Sequence, residues 1–122
     1  MPLFAGLTTE SVLRDGALVI DLTGSLDSAL DLDASAFAIE QTSADHAIAV
    51  LTGLDYISSA GFSALIRLSE AAAAAKKTLY IVGVPLRIHL VFSALGAHNV
   101  LHILPTLEDA MQKIRSGQPC AN

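Results

Sequence analysis

The chain has 122 residues, a formal net charge of −5 and a hydrophobic fraction of 52%. That length suits one domain with one core. The acidic balance and the scattered Lys and Arg, of which only Lys76 and Lys77 are adjacent, exclude the clustered basic surface that nucleic-acid binding requires. Mean hydropathy is high at +0.55, yet charged or turn-forming residues interrupt every apolar run before the roughly 18 residues of a membrane span.

The opening "MPLFAGLTTESVLRD" lacks the basic start and long apolar core of a secretory signal, so the expectation is a soluble cytoplasmic domain, 1–122, with an ordered core of about 7–116. The lone cysteine, Cys120, lies in the polar tail "SGQPCAN", where it can form neither an internal disulfide nor a cysteine metal cluster.

In chain order, Leu7–Leu13 alternates weakly, and 17–22, "ALVIDL", is a strand-like run that Gly24 is expected to close. Asp15-Gly16 between them is a hairpin-turn dipeptide, which makes the first two strands antiparallel neighbours. Residues 29–41 have a helical composition. Residues 47–52, "AIAVLT", and 79–84, "LYIVGV", are apolar without alternation, as strands covered on both faces are.

Residues 60–75 read as a helix ending at Lys76-Lys77, and 86–95 as one that begins after Pro85 and stops at Gly96. A short strand at 101–104 and a helix from Thr106 to about Arg115 complete the chain. Strand–helix alternation calls for crossovers and a parallel sheet. The expected fold is therefore a single α/β domain: a mixed sheet of four to five strands, antiparallel at the N-terminal hairpin and otherwise mostly parallel, packed with about four helices.

Little in the sequence points to catalysis. The four histidines are His46, His89, His98 and His102. Only His98 and His102 are four apart, and they straddle a helix-to-strand transition, so all four read as ordinary surface or loop histidines. Glycine-rich phosphate loops are absent. Ser59 sits between a strand and a helix, but a nucleophile elbow needs Gly two residues to either side, and Ile57 fills one of those positions.

The stretch "YISSAGF" at 56–62 leaves two readings open: both serines cap the helix, or one of them is a regulatory phosphosite at the positive end of the helix dipole. Helical phase separates the two. At about 100° per residue, Ser59, Ser63, Arg67 and Glu70 form one polar stripe, whereas Leu65, Leu68 and Ala72 lie opposite and Ser58 leans towards them. Phe62 and Ile66 border the stripe, either as an apolar rim for a partner or as flank core packing.

Four stretches together resemble a known family: "VIDLTGSLD" at 19–27, "LTGLDYISSAGFSALIRL" at 51–68, "LYIVGVPLRIHLVFSALG" at 79–96 and "LEDAM" at 107–111. They are similar to the STAS domain of sulphate transporters and anti-sigma factor antagonists, in particular its stand-alone bacterial antagonist branch.

The resemblance implies a non-enzymatic, cofactor-free switch. A serine at the start of the second helix, corresponding to Ser59 rather than Ser58, is phosphorylated by a serine-kinase anti-sigma factor. The unphosphorylated antagonist sequesters that kinase, and a PP2C-type phosphatase resets the switch. Asp27, which the resemblance places beside the phosphosite, joins the Ser59 face given by helical phase, so the expected partner-binding set is Asp27, Ser58, Ser59, Phe62, Ser63, Ile66 and Arg67, with no nucleic acid and no membrane. The absence of an obviously apolar surface stretch points to a monomer.

The sequence departs from the family pattern at Ser58, where Asp is common, at Val50, where an acid is common, and at Ala60, where a second serine is common. The alternative is a non-phosphorylated STAS scaffold or transport-accessory subunit.

Overall fold

The computed structural model describes residues 6–28 and 31–116. Cys120 and the start of the first expected helix, 29–30, lie outside the described residues. The elements run β1 (Leu7–Arg14), β2 (Ala17–Leu26), α1 (Asp33–Gln41), β3 (His46–Ile57), α2 (Ser59–Ala74), β4 (Thr78–Val82) and α3 (Leu86–Leu95). A 3-10 turn at Ala97–Asn99, β5 (His102–Leu104) and α4 (Leu107–Ser116) complete them. The expected fold class holds: five strands in the order β1-β2-β3-β4-β5, with β1 antiparallel to β2 and every later pair parallel.

Asp15 and Gly16 turn the hairpin, both at positive φ (51° and 84°), as the two central residues of a turn matched to strand twist must be. Each later crossover advances one strand in the same direction. With a common hand, such crossovers place their helices on one face. Accordingly Ile39 of α1, Leu65 and Leu68 of α2, and Ile88 and Phe92 of α3 share a core with Leu18, Ile20 and Leu22 of β2, Ala49 and Leu51 of β3, and Ile81 of β4.

Among the described residues, only α4 covers the other face. Ala110 and Met111 pack there on Val19, Ile48, Tyr80 and Val82. Helix α4 lies towards β3–β5, so β1 is left with seven of its eight residues exposed, including Val12 and Leu13. The weak alternation of that first strand is the sequence of an edge with no helix over it.

Two strands run longer than expected. Gly24 does not close β2 and the "TG" at 52–53 does not end β3; the pair continues to Leu26 opposite Ile57 through two register irregularities. Gly24, at φ 104°, lies at one of them, where an interior strand glycine marks a bulge rather than an end. The extension carries the exits of β2 and β3 side by side, and so sets Asp27 and Ser58, the residues just beyond them, at one edge of the domain.

Candidate functional site

Four strand-to-helix junctions lie at the carboxyl end of the parallel strands: Asp27 after β2, Ser58 after β3, Val84-Pro85 after β4 and Pro105-Thr106 after β5. In open α/β sheets this is the end where ligands and partners are met. The pairing of Leu26 with Ile57 brings the first two junctions together, and the backbone N–H of Ser58 donates to the carbonyl of Leu26 at 3.1 Å.

Gly61, buried in the first turn of α2, makes that approach possible. A Cβ there would overlap the carbonyl oxygen of Leu26. In the sequence Gly61 reads only as half of an incomplete elbow motif; its need for smallness comes from β2, a strand distant along the chain.

The two adjacent serines do different things. Ser58 is the N-cap of α2: its backbone is extended (φ −102°, ψ 175°) and its Oγ accepts from the Gly61 N–H at 3.1 Å. Ser59 is the first helical residue, exposed, and its hydroxyl has no hydrogen-bond partner among the described residues. Its carbonyl accepts from Ser63 Oγ at 3.2 Å. One turn further, Arg67 reaches Asp33 of α1 at 3.3 Å, both ends about half exposed. Ser59, Ser63, Arg67 and Glu70 are all exposed, so the polar stripe is continuous.

On the β2 side, Asp31 closes a small loop: its Oδ2 accepts from the N–H groups of Asp27 (3.2 Å) and Ser28 (3.1 Å). Asp27 is left exposed next to the cap.

The rim residues part company. Phe62 is only 8% exposed and packs against Phe92 with ring centroids 5.6 Å apart, so it is core and presents no contact surface. Ile66 is half-buried against the same core.

The structure also adds residues that the sequence did not single out. Tyr56 is 53% exposed at the end of β3, and α3 presents Leu86 (75%), Leu90 (62%), Val91 (36%) and Leu95 (45%) to solvent. Between Asp55–Ile57 and the Arg87, Ile88 and Val91 side of α3 lies a groove of about 220 Å³. An exposed apolar groove therefore lies beside the end of β3 that leads into Ser58. The 3.6-residue periodicity of "LRIHLVFSAL" carries the signal: its apolar residues exceed the single face that Ile88 and Phe92 bury.

Among the described residues, no group of three or more His, Cys, Asp or Glu is placed to hold a metal ion, and no helix is long and apolar enough to cross a membrane.

The STAS domain model matches residues 8–110, most of the chain and every junction described above. The chain belongs to the STAS domain family. Among solved structures it is similar to an anti-sigma factor antagonist from Mycobacterium paratuberculosis, at 20% identity and a TM-score of 0.77, covering 90% of this chain and 95% of that one. It is also similar to an RsbS variant from Moorella thermoacetica, at 14% identity and a TM-score of 0.74, covering 88% and 95%. The Bacillus cell fate determinant SpoIIAA in its phosphorylated form aligns at 20% identity with a TM-score of 0.62, over 89% of this chain and 99% of that one. No curated protein sequence matches. At these identities the likeness is one of fold, and it spans the relatives' chains nearly end to end.

Proposed function

We propose that this STAS domain is an anti-sigma factor antagonist that works by partner switching in the cytoplasm, with Ser59 as the phosphorylated residue. One observation carries the assignment: Ser58 spends its hydroxyl on capping α2, whereas the hydroxyl of Ser59 is free at the same helix start. A kinase-type anti-sigma factor docks on the unmodified face, made of Asp27, Ser59, Ser63 and Arg67. Tyr56 and the exposed flank of α3 supply the apolar area that a polar stripe alone lacks.

The chemistry belongs to the partner. The Ser59 oxygen attacks the γ-phosphorus of ATP, ADP leaves, and the serine proton passes to a base of the kinase. The product carries about −1.5 to −2 charges at the α2 N-terminus, where the helix dipole tolerates them within the fold. Outside the fold they add to Asp27, Asp31 and Asp33. A face that bound with a neutral hydroxyl then has to bury a dianion without a matching cation, and the partner is released. A PP2C-type phosphatase restores the hydroxyl.

Incubation with ATP and a cognate serine-kinase anti-sigma factor, followed by mass-spectrometric mapping, tests this. Label on Ser59 and weakened kinase binding by Ser59→Asp are expected. Label on Ser58 alone overturns the residue assignment. No label with any such kinase favours the non-phosphorylated scaffold, and a Ser59→Asp variant binding as tightly as wild type refutes charge-driven release.

A further inference from the structure

The turn at Asp15-Gly16 fixes which way the backbone of the edge strand β1 points. Its closing pair, Arg14 with Ala17, is the pair that a β-turn of this kind joins by backbone hydrogen bonds. Bonded and non-bonded pairs then alternate along the antiparallel ladder. Thr8, Glu10, Val12 and Arg14 therefore turn their N–H and C=O groups towards β2. The same parity reaches Gly6, whose carbonyl accepts from the Ser25 N–H at 3.4 Å. Leu7, Thr9, Ser11 and Leu13 turn theirs outwards, to an edge with no strand beyond it among the described residues.

Side chains alternate as well. Val12 pairs with Val19, so Glu10, Val12 and Arg14 lie on the α4 face, at the end of the sheet that α4 leaves open. All three are exposed, Val12 by 56%. Glu10 stands opposite Asp21, a like charge across the ladder. Neither Glu10 nor Arg14 makes an ion pair or a side-chain hydrogen bond among the described residues. Four residues along an extended strand span roughly 13 Å, so the two cannot meet within one chain.

We propose that β1 pairs antiparallel with β1 of a second copy about a twofold axis, joining two five-stranded sheets into one. Outward-bonding residues must pair with one another, which lets Glu10 face Thr8, Glu10, Val12 or Arg14 of the second copy. Glu10 against itself repels. The register that sets Glu10 opposite Arg14 supplies the missing cation, twice by symmetry, and places Val12 against its own copy at the axis. Ser11 and Leu13 then exchange about four backbone hydrogen bonds with Leu13 and Ser11 of the second copy.

The axis runs perpendicular to the sheet, so helices α1 to α3 of both copies share one face. The two Ser59 edges lie at opposite ends, each open to a partner, and the pairing does not depend on what Ser59 does. The monomer expected from the sequence rests on the lack of an apolar surface stretch, a criterion that a contact held by backbone bonds does not have to meet.

Sedimentation equilibrium of the unphosphorylated full chain, from micromolar to millimolar concentration, tests the pairing, and a monomer–dimer equilibrium is expected. Arg14→Glu and Glu10→Arg, each folded as judged by its melt at low concentration, are each expected to weaken dimerisation at least about tenfold, and the double exchange to restore it to within about threefold. Across the axis Val12 forms a non-hydrogen-bonded pair with Cα atoms about 4.5 Å apart, within the range of a disulfide. In a Cys120→Ser background, where the introduced cysteine is the sole thiol, Val12→Cys is expected to cross-link under mild oxidation faster than Glu10→Cys or Ser11→Cys. A monomer at every concentration, a double exchange no better than either single change, or faster cross-linking at position 10 or 11 than at 12 would overturn the proposal.

Discussion

Replacing Gly61 by Ala tests whether the serine site is held in place by the approach of α2 to β2. Two effects oppose each other. On propensity alone, Ala in the first turn of a helix gains up to about 1 kcal/mol over Gly. Against it, the added methyl overlaps the Leu26 carbonyl, a backbone atom fixed by the parallel pairing with β3 and by the Ser58 N–H bond that continues it.

Overpacking of this kind costs about 1–3 kcal/mol, and losing the Ser58–Leu26 hydrogen bond costs about 1 kcal/mol more. The net expectation is a loss of about 1–3 kcal/mol. For a domain of this size that lowers the melting temperature by about 4–12 °C. Chemical denaturation should show a lower midpoint with an unchanged slope, since the fold survives. The same variant should be a poorer kinase substrate, because Ser59 moves with the cap. A melting temperature equal to or above that of wild type would mean that propensity wins and that Gly61 has no positioning role.

Truncating the two serines should have different consequences. Ser58→Ala removes the cap and should cost about 1 kcal/mol in urea unfolding, whereas Ser59→Ala should stay within about 0.5 kcal/mol of wild type and abolish phosphorylation. Lys76 sits at φ 63° in the turn that closes α2, with the Lys77 N–H returning to Ala72 and its own to Ala73. Lys76→Gly relieves the left-handed strain and should stabilise by about 0.5–1 kcal/mol in thermal melts, despite adding a glycine. Phe92→Ala opens the fully buried contact with Phe62 and should cost about 3–5 kcal/mol in equilibrium unfolding.

The order and type of the elements were legible because they rest on local terms. The Asp15-Gly16 turn, the apolar runs of β3 and β4, Pro85 and Gly96 around α3, and Thr106 ahead of α4 each act within a few residues. Thr106 does cap that helix, its Oγ1 accepting from the Asp109 N–H at 3.1 Å. The separation of Ser58 from Ser59 was legible for the same reason: one helix has one phase, and its stripe of Ser59, Ser63, Arg67 and Glu70 comes from it.

The tertiary structure decided everything that needed a second segment. Gly24 and the "TG" at 52–53 end strands by local propensity, but pairing between β2 and β3 overrides it and pushes both exits outward together. Phe62 lay at the edge of the stripe, where a turn of a few degrees separates solvent from core, and Phe92 on a different helix settled it as core. Local preferences choose the elements of this protein, and contacts between strands and helices distant in sequence choose which of its side chains face one another.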